Sequence, residues 1–279
     1  MKQNTFGWVT RSGKKIFAQV WQPDTETQEP VICLVHGLGE HSSRYVELPE
    51  ILVNHGYKVV SFDLMGHGKS EGKRGHIDSY NDYMEDISRL LAEAKLLFPS
   101  SDLFLYGHSM GGNLVLSYAL RFNPDIRGVI VTGPWLKLTR PPGTMMVRMA
   151  KLIDKVWPAF TTYNGIKSGD LSHEENKTEK VIKDELLHPW ISVRTYLELA
   201  EAGCWLLDHA HEFPYPLLIL HGSADKVTSP QGSIEFHRKA GEKCTIRILN
   251  DLYHEIHNEP RNEEIFSTIL HWLAEFRKK

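Results

Sequence analysis

Residues 103–122 read LFLYGHSMGGNLVLSYALRF, and this stretch sets the architecture of the whole chain. The apolar run Leu103–Tyr106, typical of a buried strand, leads directly into Gly107-His108-Ser109-Met110-Gly111, and a helix-like stretch follows. A Gly-x-Ser-x-Gly turn between a strand and a helix holds the serine hydroxyl exposed above a sheet, where glycines tolerate the crowded backbone. The alternative is a glycine-rich turn that only packs a helix on a strand. The context favours Ser109 as a nucleophile.

The same alternation of strand, turn and helix runs through most of the chain. Short, continuously apolar runs are typical of strands that are covered on both faces. We predict such strands at Val31–His36, Lys58–Asp63, Leu103–Tyr106, Gly128–Thr132, Leu217–His221 and Thr245–Leu249. We predict helices at Tyr45–His55, Tyr80–Phe98, Gly111–Phe122, Pro230–Ala240 and Asn262–Arg277. The pattern indicates an α/β fold with a doubly wound, mostly parallel sheet, and an edge hairpin formed by Phe6–Thr10 and Lys14–Trp21.

The alternation stops between Trp135 and Phe213, where helical stretches surround a polar loop at Ser168–Lys180 and no strand pattern is visible. We therefore predict a core formed by residues 1–136 and 213–279, with an inserted helical cap at residues 137–212. An apolar stripe at helical spacing runs through the cap. Its members are Met145, Met149, Leu152, Ile153, Val156 and Trp157. Two interpretations stay open: the stripe packs on the core, or it also lines a ligand cavity.

The composition excludes several classes of protein. The 279 residues are 41% hydrophobic and 24% charged, which argues against extensive disorder. The formal charge of −3 argues against nucleic acid or an anionic membrane as a partner held by charge. Residues 1–17 have no apolar core of a signal peptide, and no run approaches a membrane span, so we expect a cytoplasmic protein. The three cysteines, Cys33, Cys204 and Cys244, predict buried thiols in a reducing compartment.

A serine hydroxyl needs a base, usually a histidine that a carboxylate orients, in the chain order Ser, Asp, His for this kind of fold. Asp225 and His254 each follow a predicted strand, so both should lie at the sheet edge that carries Ser109. Several other acids and histidines compete with them less well. Asp208 falls in the cap, Asp251 suits a turn, His36 and His221 end strands as core residues would, and His257 and His271 fall on or near the last helix.

The tetrahedral intermediate of acyl transfer needs backbone N–H groups that stabilise its oxyanion. We assign these to the amides of Met110 and of Leu38, which lies in the flexible loop after the first core strand. We expect no metal and no cofactor. The segments around His254 and Asp208 lack the HExxH spacing of a zinc site, and no GxGxxG or Walker pattern is present.

Several motifs together resemble the monoacylglycerol lipase family of α/β-hydrolases, nearly end to end. Residues 36–45, HGLGEHSSRY, resemble the family's HGxGEHxxRY, and residues 63–72, DLMGHGKSEG, are similar to its DxxGHGxSxG. Residues 107–112 match GHSMGG, and residues 222–225 and 253–255 match its acid and base segments. In the cap, residues 184–186 read Asp-Glu-Leu where the family often has Asp-Pro-Leu.

The resemblance implies an α/β-hydrolase fold and a triad of Ser109, Asp225 and His254, with oxyanion amides from Leu38 and Met110. It further implies a polar network of Glu40, Arg44 and His108 beside the glycerol end of the substrate. From the cap we expect acyl-chain contacts by Met145, Met149 and Ile153, and transient contact with a membrane or micelle.

The function expected is therefore that of a serine hydrolase that cleaves monoacylglycerols through an acyl-enzyme on Ser109. A lysophospholipase or a broad carboxylesterase of the same fold is the alternative. A peptidase is less favoured, because the cap lacks an obvious acidic cluster for a free amino terminus. A non-catalytic binding module is also disfavoured, since all three triad positions are filled.

Overall fold

The computed structural model describes residues 1–174 and 183–276. Within them, eight strands form a central sheet, and two shorter strands, β7 and β8, pair separately. The strands are β1 (Lys2–Val9), β2 (Lys15–Gln22), β3 (Val31–Val35), β4 (Lys58–Phe62), β5 (Leu103–His108), β6 (Gly128–Thr132), β7 (Thr161–Tyr163), β8 (Trp190–Ser192), β9 (Leu217–Gly222) and β10 (Cys244–Leu249). The sheet order is β1-β2-β4-β3-β5-β6-β9-β10, and all neighbours from β4 onward are parallel.

The predicted edge hairpin is confirmed. β1 pairs antiparallel with β2, and β2 pairs antiparallel with β4, so the hairpin closes one edge of an otherwise parallel sheet. Gly13 in the connecting turn has a φ of +80°, a conformation that glycine adopts without steric cost.

Helices cover both faces of the sheet, as the continuous apolar strands predicted. The α-helices include α1 (Glu47–Asn54), α2 (Tyr80–Leu97), α3 (Met110–Phe122), α4 (Thr144–Val156), α5 (Val193–His209), α6 (Pro230–Ala240) and α7 (Asn262–Ala274). Of these, α4 has no buried residue and packs against α5. Local sequence sets several of their starts: the Ser79 hydroxyl accepts from Asn81 N, and Asp82 accepts from Ser79 N in return, which caps α2. Residue 277, the end predicted for the last helix, lies outside the described residues.

The core consists of two apolar layers, one on each face of the sheet. Along β3, Val31, Cys33 and Val35 belong to one layer, while Ile32 and Leu34 belong to the other. The period of two is that of a strand whose side chains alternate between faces. The doubly wound, mostly parallel sheet predicted from the sequence is thus confirmed.

Residues 137–212 contribute helices α4 and α5 and the small antiparallel pair β7–β8. This pair corrects the expectation that the segment holds no strand; three-residue strands are too short to give a periodic pattern. Of the polar loop predicted at 168–180, residues 175–180 lie outside the described part of the chain. The division of the chain into a core and a cap stays a prediction.

The prediction for the cysteines is correct for two of the three. Cys33 and Cys244 are buried in strands, whereas Cys204 is exposed on α5, because it falls on the solvent side of that helix. In the described ranges, no helix is long and apolar enough to span a bilayer.

Candidate active site

Ser109 stands at the junction of β5 and α3 in a strained conformation. Its φ of +54° and ψ of −115° are unfavourable for a residue with a side chain, and such strain persists only where surrounding contacts enforce it. Here Ser109 N donates to Thr132 O at 2.9 Å, and Trp135 N donates to Ser109 O at 2.9 Å. These bonds fix the serine at the carboxyl end of β5, above the sheet.

The glycines around Ser109 are required by close backbone packing. A side-chain carbon on Gly107 would collide with the carbonyl oxygen of Gly111, and one on Gly111 would collide with that of Val35. The sharp turn therefore brings the start of α3 directly onto β5 and β3, as the Gly-x-Ser-x-Gly pattern predicted.

Asp225 and His254 form a buried pair beside the serine. His254 Nδ1 donates to Asp225 Oδ2 at 2.7 Å. The other carboxylate oxygen, Oδ1, accepts from Val227 N at 2.7 Å and from Thr228 N at 2.9 Å, which orients the carboxylate. Ser109, Asp225 and His254 follow the carboxyl ends of β5, β9 and β10, respectively. Ser109 and His254 also line the same cavity.

Each member of this pair changes the protonation of the other. Burial by itself raises the pKa of the Asp225 carboxyl, but the imidazoles of His254 and His221 outweigh it and hold that pKa well below its ordinary value. Burial disfavours a charge on His254, yet Asp225, with Glu255 and Glu40 further away, raises the pKa of its imidazole above the ordinary value. The pair is thus arranged to stabilise a positive charge on His254.

His221 is a contact of Asp225 that the sequence did not reveal. Its Nε2 lies 3.1 Å from Asp225 Oδ2 and 3.2 Å from Thr228 O, and its Nδ1 lies 2.8 Å from Ser233 Oγ. Since Nε2 faces two acceptors, it carries the ring proton. The sequence placed His221 at a strand end as a core residue. It is fully buried, but it also donates to the carboxylate.

The two predicted oxyanion amides belong to the first residue of α3 and to the loop after β3. Met110 is the first residue of α3, so its N–H has no acceptor within the helix. Leu38 lies between Gly37 and Gly39, and a side-chain carbon on Gly37 would stand 3.2 Å from Ser109 Cβ. The loop after β3 therefore passes directly beside Ser109. The role of these two amides stays a prediction.

A charged network lies on the same wall of the cavity. Arg44 donates to Glu40 Oε2 at 2.9 Å and to both oxygens of Glu255, at 2.7 and 2.8 Å. Glu255 was missed in the sequence, although its position next to His254 is the signal that could have found it. The predicted third member, His108, is not hydrogen-bonded to this network.

His108 instead contacts Thr132 on β6. Its Nδ1 lies 2.9 Å from Thr132 Oγ1 and 3.1 Å from Thr132 O. Burial and the neighbouring imidazoles of His254 and His257 hold the pKa of His108 well below its ordinary value, so this ring is neutral. It still lines the cavity, with its ring centre 4.8 Å from that of His254.

The cavity has a volume of about 350 Å³, and residues from the 137–212 segment close one side of it. These residues are Tyr163, Asn164, Ile166, Ser168, Leu171, Asp184, Leu187, His188 and Pro189. They lie in loops and in β7 rather than on α4, and the amphipathic pattern of the sequence gave no signal for them.

The expectation that α4 contributes acyl-chain contacts is wrong in this structure. Met145 and Met149 are 76% and 56% exposed, Ile153 is half-buried, and none of the three lines the cavity. The core-packing interpretation of the stripe fails too, because α4 has no buried residue. An amphipathic pattern shows that one helix face is apolar, but it does not show what covers that face.

Within the described residues, no three His, Cys, Asp or Glu side chains are grouped so that they could hold a metal ion. The absence of a cofactor stays a prediction from the sequence.

Comparison with known proteins agrees with this geometry. A family model described as "Serine aminopeptidase, S33" matches residues 26–261, which include every strand from β3 to β10. The monoacylglycerol lipase of Mycolicibacterium smegmatis is 28% identical over 267 residues, which cover 94% of each chain. The crystal structure of the Paleococcus ferrophilus monoacylglycerol lipase superimposes with a TM-score of 0.83 at 32% identity, over 99% of both chains.

The chain belongs to the monoacylglycerol lipase family of α/β-hydrolases. The fold and the family predicted from the sequence are therefore confirmed, and this family member is a serine hydrolase. An uncharacterized abhydrolase domain-containing protein of Dictyostelium discoideum is 32% identical over 278 residues. Those residues are 99% of this chain but 29% of that longer protein.

Proposed function

We propose that this enzyme hydrolyses monoacylglycerols to glycerol and a free fatty acid through an acyl-enzyme on Ser109. The observation that carries the proposal is the meeting of a strained serine with a hydrogen-bonded Asp225–His254 pair at one cavity. The names of two relatives, both monoacylglycerol lipases, support the choice of substrate.

Acylation begins when His254 takes the proton of the Ser109 hydroxyl and the serine oxygen attacks the ester carbonyl carbon. Asp225 holds the imidazole with Nδ1 protonated, so that Nε2 is free to accept the proton, and it stabilises the imidazolium that results. The N–H groups of Leu38 and Met110 donate to the oxyanion of the tetrahedral intermediate. When the intermediate collapses, the C–O bond to glycerol breaks and His254 returns its proton to the departing alkoxide.

Deacylation repeats the sequence with water as the nucleophile. His254 removes a proton from water, the hydroxide attacks the acyl carbon, and the second intermediate collapses to release the fatty acid. His254 then gives its proton to the Ser109 oxygen. No step requires a metal or a cofactor.

The lining of the cavity fits an ester with one polar and one apolar end. Polar side chains line the cavity, among them Asn164, Asp184 and His188, while Leu38, Ile166, Leu171 and Leu187 supply apolar surface. In a small site of this kind, a few polar groups orient the ligand, and buried apolar area supplies much of the affinity.

The exposed face of α4 suits contact with a lipid surface. It carries the large apolar side chains Met145, Met146, Met149, Leu152 and Val156. Arg148, Lys151 and Lys155 lie on the same helix and are exposed. An amphipathic helix with apolar and basic residues lies flat in a membrane interface. Leu152→Ser should weaken sedimentation with phosphatidylcholine–phosphatidylglycerol vesicles, whereas Leu96→Ser, an equally exposed leucine on α2, should not.

A substrate panel tests the proposed reaction. We expect fatty acid release from 1-monooctanoylglycerol at a rate well above that from octanoyl lysophosphatidylcholine, and no release by Ser109→Ala. Faster hydrolysis of the lysophospholipid would favour the lysophospholipase alternative. Equal rates on glycerol-free esters would favour a broad carboxylesterase.

A peptidase activity has less support, although the matching family model is described as a serine aminopeptidase. An amino terminus needs an available carboxylate. In the cavity, Glu40 and Glu255 bind Arg44, and Asp184 Oδ2 lies 2.9 Å from His41 Nε2. Release of an amino acid from a small dipeptide at a rate similar to that of ester hydrolysis would overturn this assignment.

A further inference from the structure

Arg44 joins two loops that the sequence keeps 211 residues apart. Its Nη1 donates to Glu40 Oε2 and to Glu255 Oε1, and its Nη2 donates to Glu255 Oε2. Side-by-side N–H donors on a planar guanidinium match a carboxylate in one geometry, so a bidentate pair fixes orientation as well as distance. Since all three side chains are nearly buried, water competes little with these bonds.

The Glu40 end of this network holds the loop that carries Leu38. Glu40 Oε1 accepts from Gly37 N at 2.6 Å, and Gly37 directly precedes Leu38. The same oxygen accepts from the Tyr45 hydroxyl at 2.6 Å. The position of the Glu40 carboxylate therefore sets the path of the backbone beside Ser109.

The Glu255 end holds the loop that carries His254. Glu255 directly follows His254, and its Oε2 also accepts from Asn258 Nδ2 at 2.7 Å. Its backbone N donates to Leu171 O at 2.8 Å, which links the same residue to the 137–212 segment. A Glu255 side chain fixed in this way restrains the backbone next to the histidine.

We propose that Arg44 is a positioning residue that, through Glu40 and Glu255, holds the Leu38 loop and the His254 loop in a fixed relation. The proposal rests on the proposed function, which gives Leu38 and His254 their roles. This role differs from the one that the family resemblance implies for Arg44, which is contact with the glycerol end of the substrate. A glycerol contact affects glycerol esters alone, whereas a positioning residue affects every ester that the enzyme hydrolyses.

The network also places charge near the base. Two carboxylates and one guanidinium leave one net negative charge beside His254. The carboxylates of Asp225, Glu255 and Glu40 act on the His254 imidazole, and the ring of His108 lies 4.8 Å from it. Loss of the Glu255 charge makes the imidazolium less stable, and loss of the Arg44 charge makes it more stable. The two changes therefore act in opposite directions on one observable, the acid limb of the pH profile.

The experiment compares Arg44→Gln, Arg44→Lys and Glu255→Gln with the parent on 1-monooctanoylglycerol and on p-nitrophenyl butyrate, which contains no glycerol. For Arg44→Gln we expect kcat to fall about 10- to 100-fold on both esters, because small misplacements of catalytic groups are costly. The acid limb of kcat/KM should move to higher pH in Arg44→Gln and to lower pH in Glu255→Gln, by about 0.5 to 1 unit. Arg44→Lys, which keeps the charge, should retain the parental limb with an intermediate kcat.

Arg89→Gln serves as the matched control, because Arg89 pairs with Glu93 on the surface of α2, away from the site. It should leave kcat and the pH profile unchanged. A loss confined to the glycerol ester, with an unmoved acid limb in both glutamine variants, would overturn the proposal. If Arg44→Gln does not fold, Glu255→Gln decides the matter alone, since an unmoved acid limb in that variant contradicts the proposal. Failure of a fluorophosphonate to label Ser109 in the parent would instead overturn the proposed function.

Discussion

His221 Nε2 lies 3.1 Å from Asp225 Oδ2, the same carboxylate oxygen that His254 Nδ1 contacts at 2.7 Å. Thr228 Oγ1 donates to this oxygen as well, at 2.9 Å. One carboxylate oxygen thus accepts from three side chains, and His221, unlike His254, does not line the cavity. The ionised carboxylate is stabilised by this arrangement, and its orientation toward His254 is fixed.

His221→Leu should lower kcat about tenfold or more, since the loss of one hydrogen bond to a charged group costs about 1.5–3 kcal/mol. His221→Gln can still donate from its amide and should recover part of the loss. Steady-state kinetics on p-nitrophenyl butyrate, with thermal unfolding to verify the fold, measures this. Identical kcat values for the leucine variant and the parent would show that His221 is a core residue only.

Ser109→Ala should reduce kcat by about 10⁴- to 10⁶-fold, because the acyl-enzyme no longer forms. The fold should be preserved, because the substitution removes no buried contact that other elements need. Mass spectrometry after fluorophosphonate treatment should find the adduct on Ser109 in the parent. His254→Ala or Asp225→Asn, added to Ser109→Ala, should cause little further loss, because the three residues act as one unit.

The pH dependence follows from the raised pKa of His254. The base must be neutral to accept the serine proton, so kcat/KM should rise with pH and reach half its maximum above about pH 6.5, the ordinary value for histidine. Activity is lost as the pH falls through the raised pKa, when the imidazole becomes charged. A profile measured between about pH 5 and 9 that shows no such limb would be incompatible with His254 as the base.

Substitutions in the cavity and on α4 should have different effects on the preferred acyl chain. Leu187→Trp fills apolar space in the cavity, so kcat/KM for the longest p-nitrophenyl ester accepted should fall about tenfold, while the acetate ester changes less than about twofold. Met149→Trp on the exposed face of α4 should leave the chain-length profile of water-soluble esters unchanged. A shortened profile in Met149→Trp would show that α4 turns inward during turnover.

Asp86 should make the free energy of unfolding depend on pH. It is buried against β1, where its Oδ1 accepts from Trp8 Nε1 at 3.1 Å, and burial raises its pKa to about 7. Because the folded state holds a proton that the unfolded state releases, this contribution to stability is present below the unfolded pKa and is lost as the pH rises through about 7.

Asp86→Asn should therefore reduce the fall in stability between about pH 5 and 8, as measured by urea unfolding at each pH. Glu85→Gln, at an exposed carboxylate on the same helix, is the control and should not change that slope. An unchanged slope in Asp86→Asn would contradict the raised pKa.

The sequence alone was enough to predict the sheet, its helices and the loops that carry Ser109, Asp225 and His254. Continuous apolar runs such as Val31–His36 differ from helices in length and in their flanking glycines, and parallel strands place their carboxyl ends on one edge. The local sequence likewise determines the sharp turn at Ser109, because only glycine fits where residues 107 and 111 approach other backbone atoms.

The partners of these residues depend on the tertiary structure. Arg44 meets Glu255, and His221 meets Asp225, because of how loops fold back over the sheet edge, and no periodicity in the chain encodes such contacts. The solvent-facing side of α4 is the same kind of case. Its apolar pattern is fixed by the sequence, but whether that face meets the core, the cavity or solvent depends on how the 137–212 segment packs, and that packing is set by many weak contacts between residues far apart in the chain.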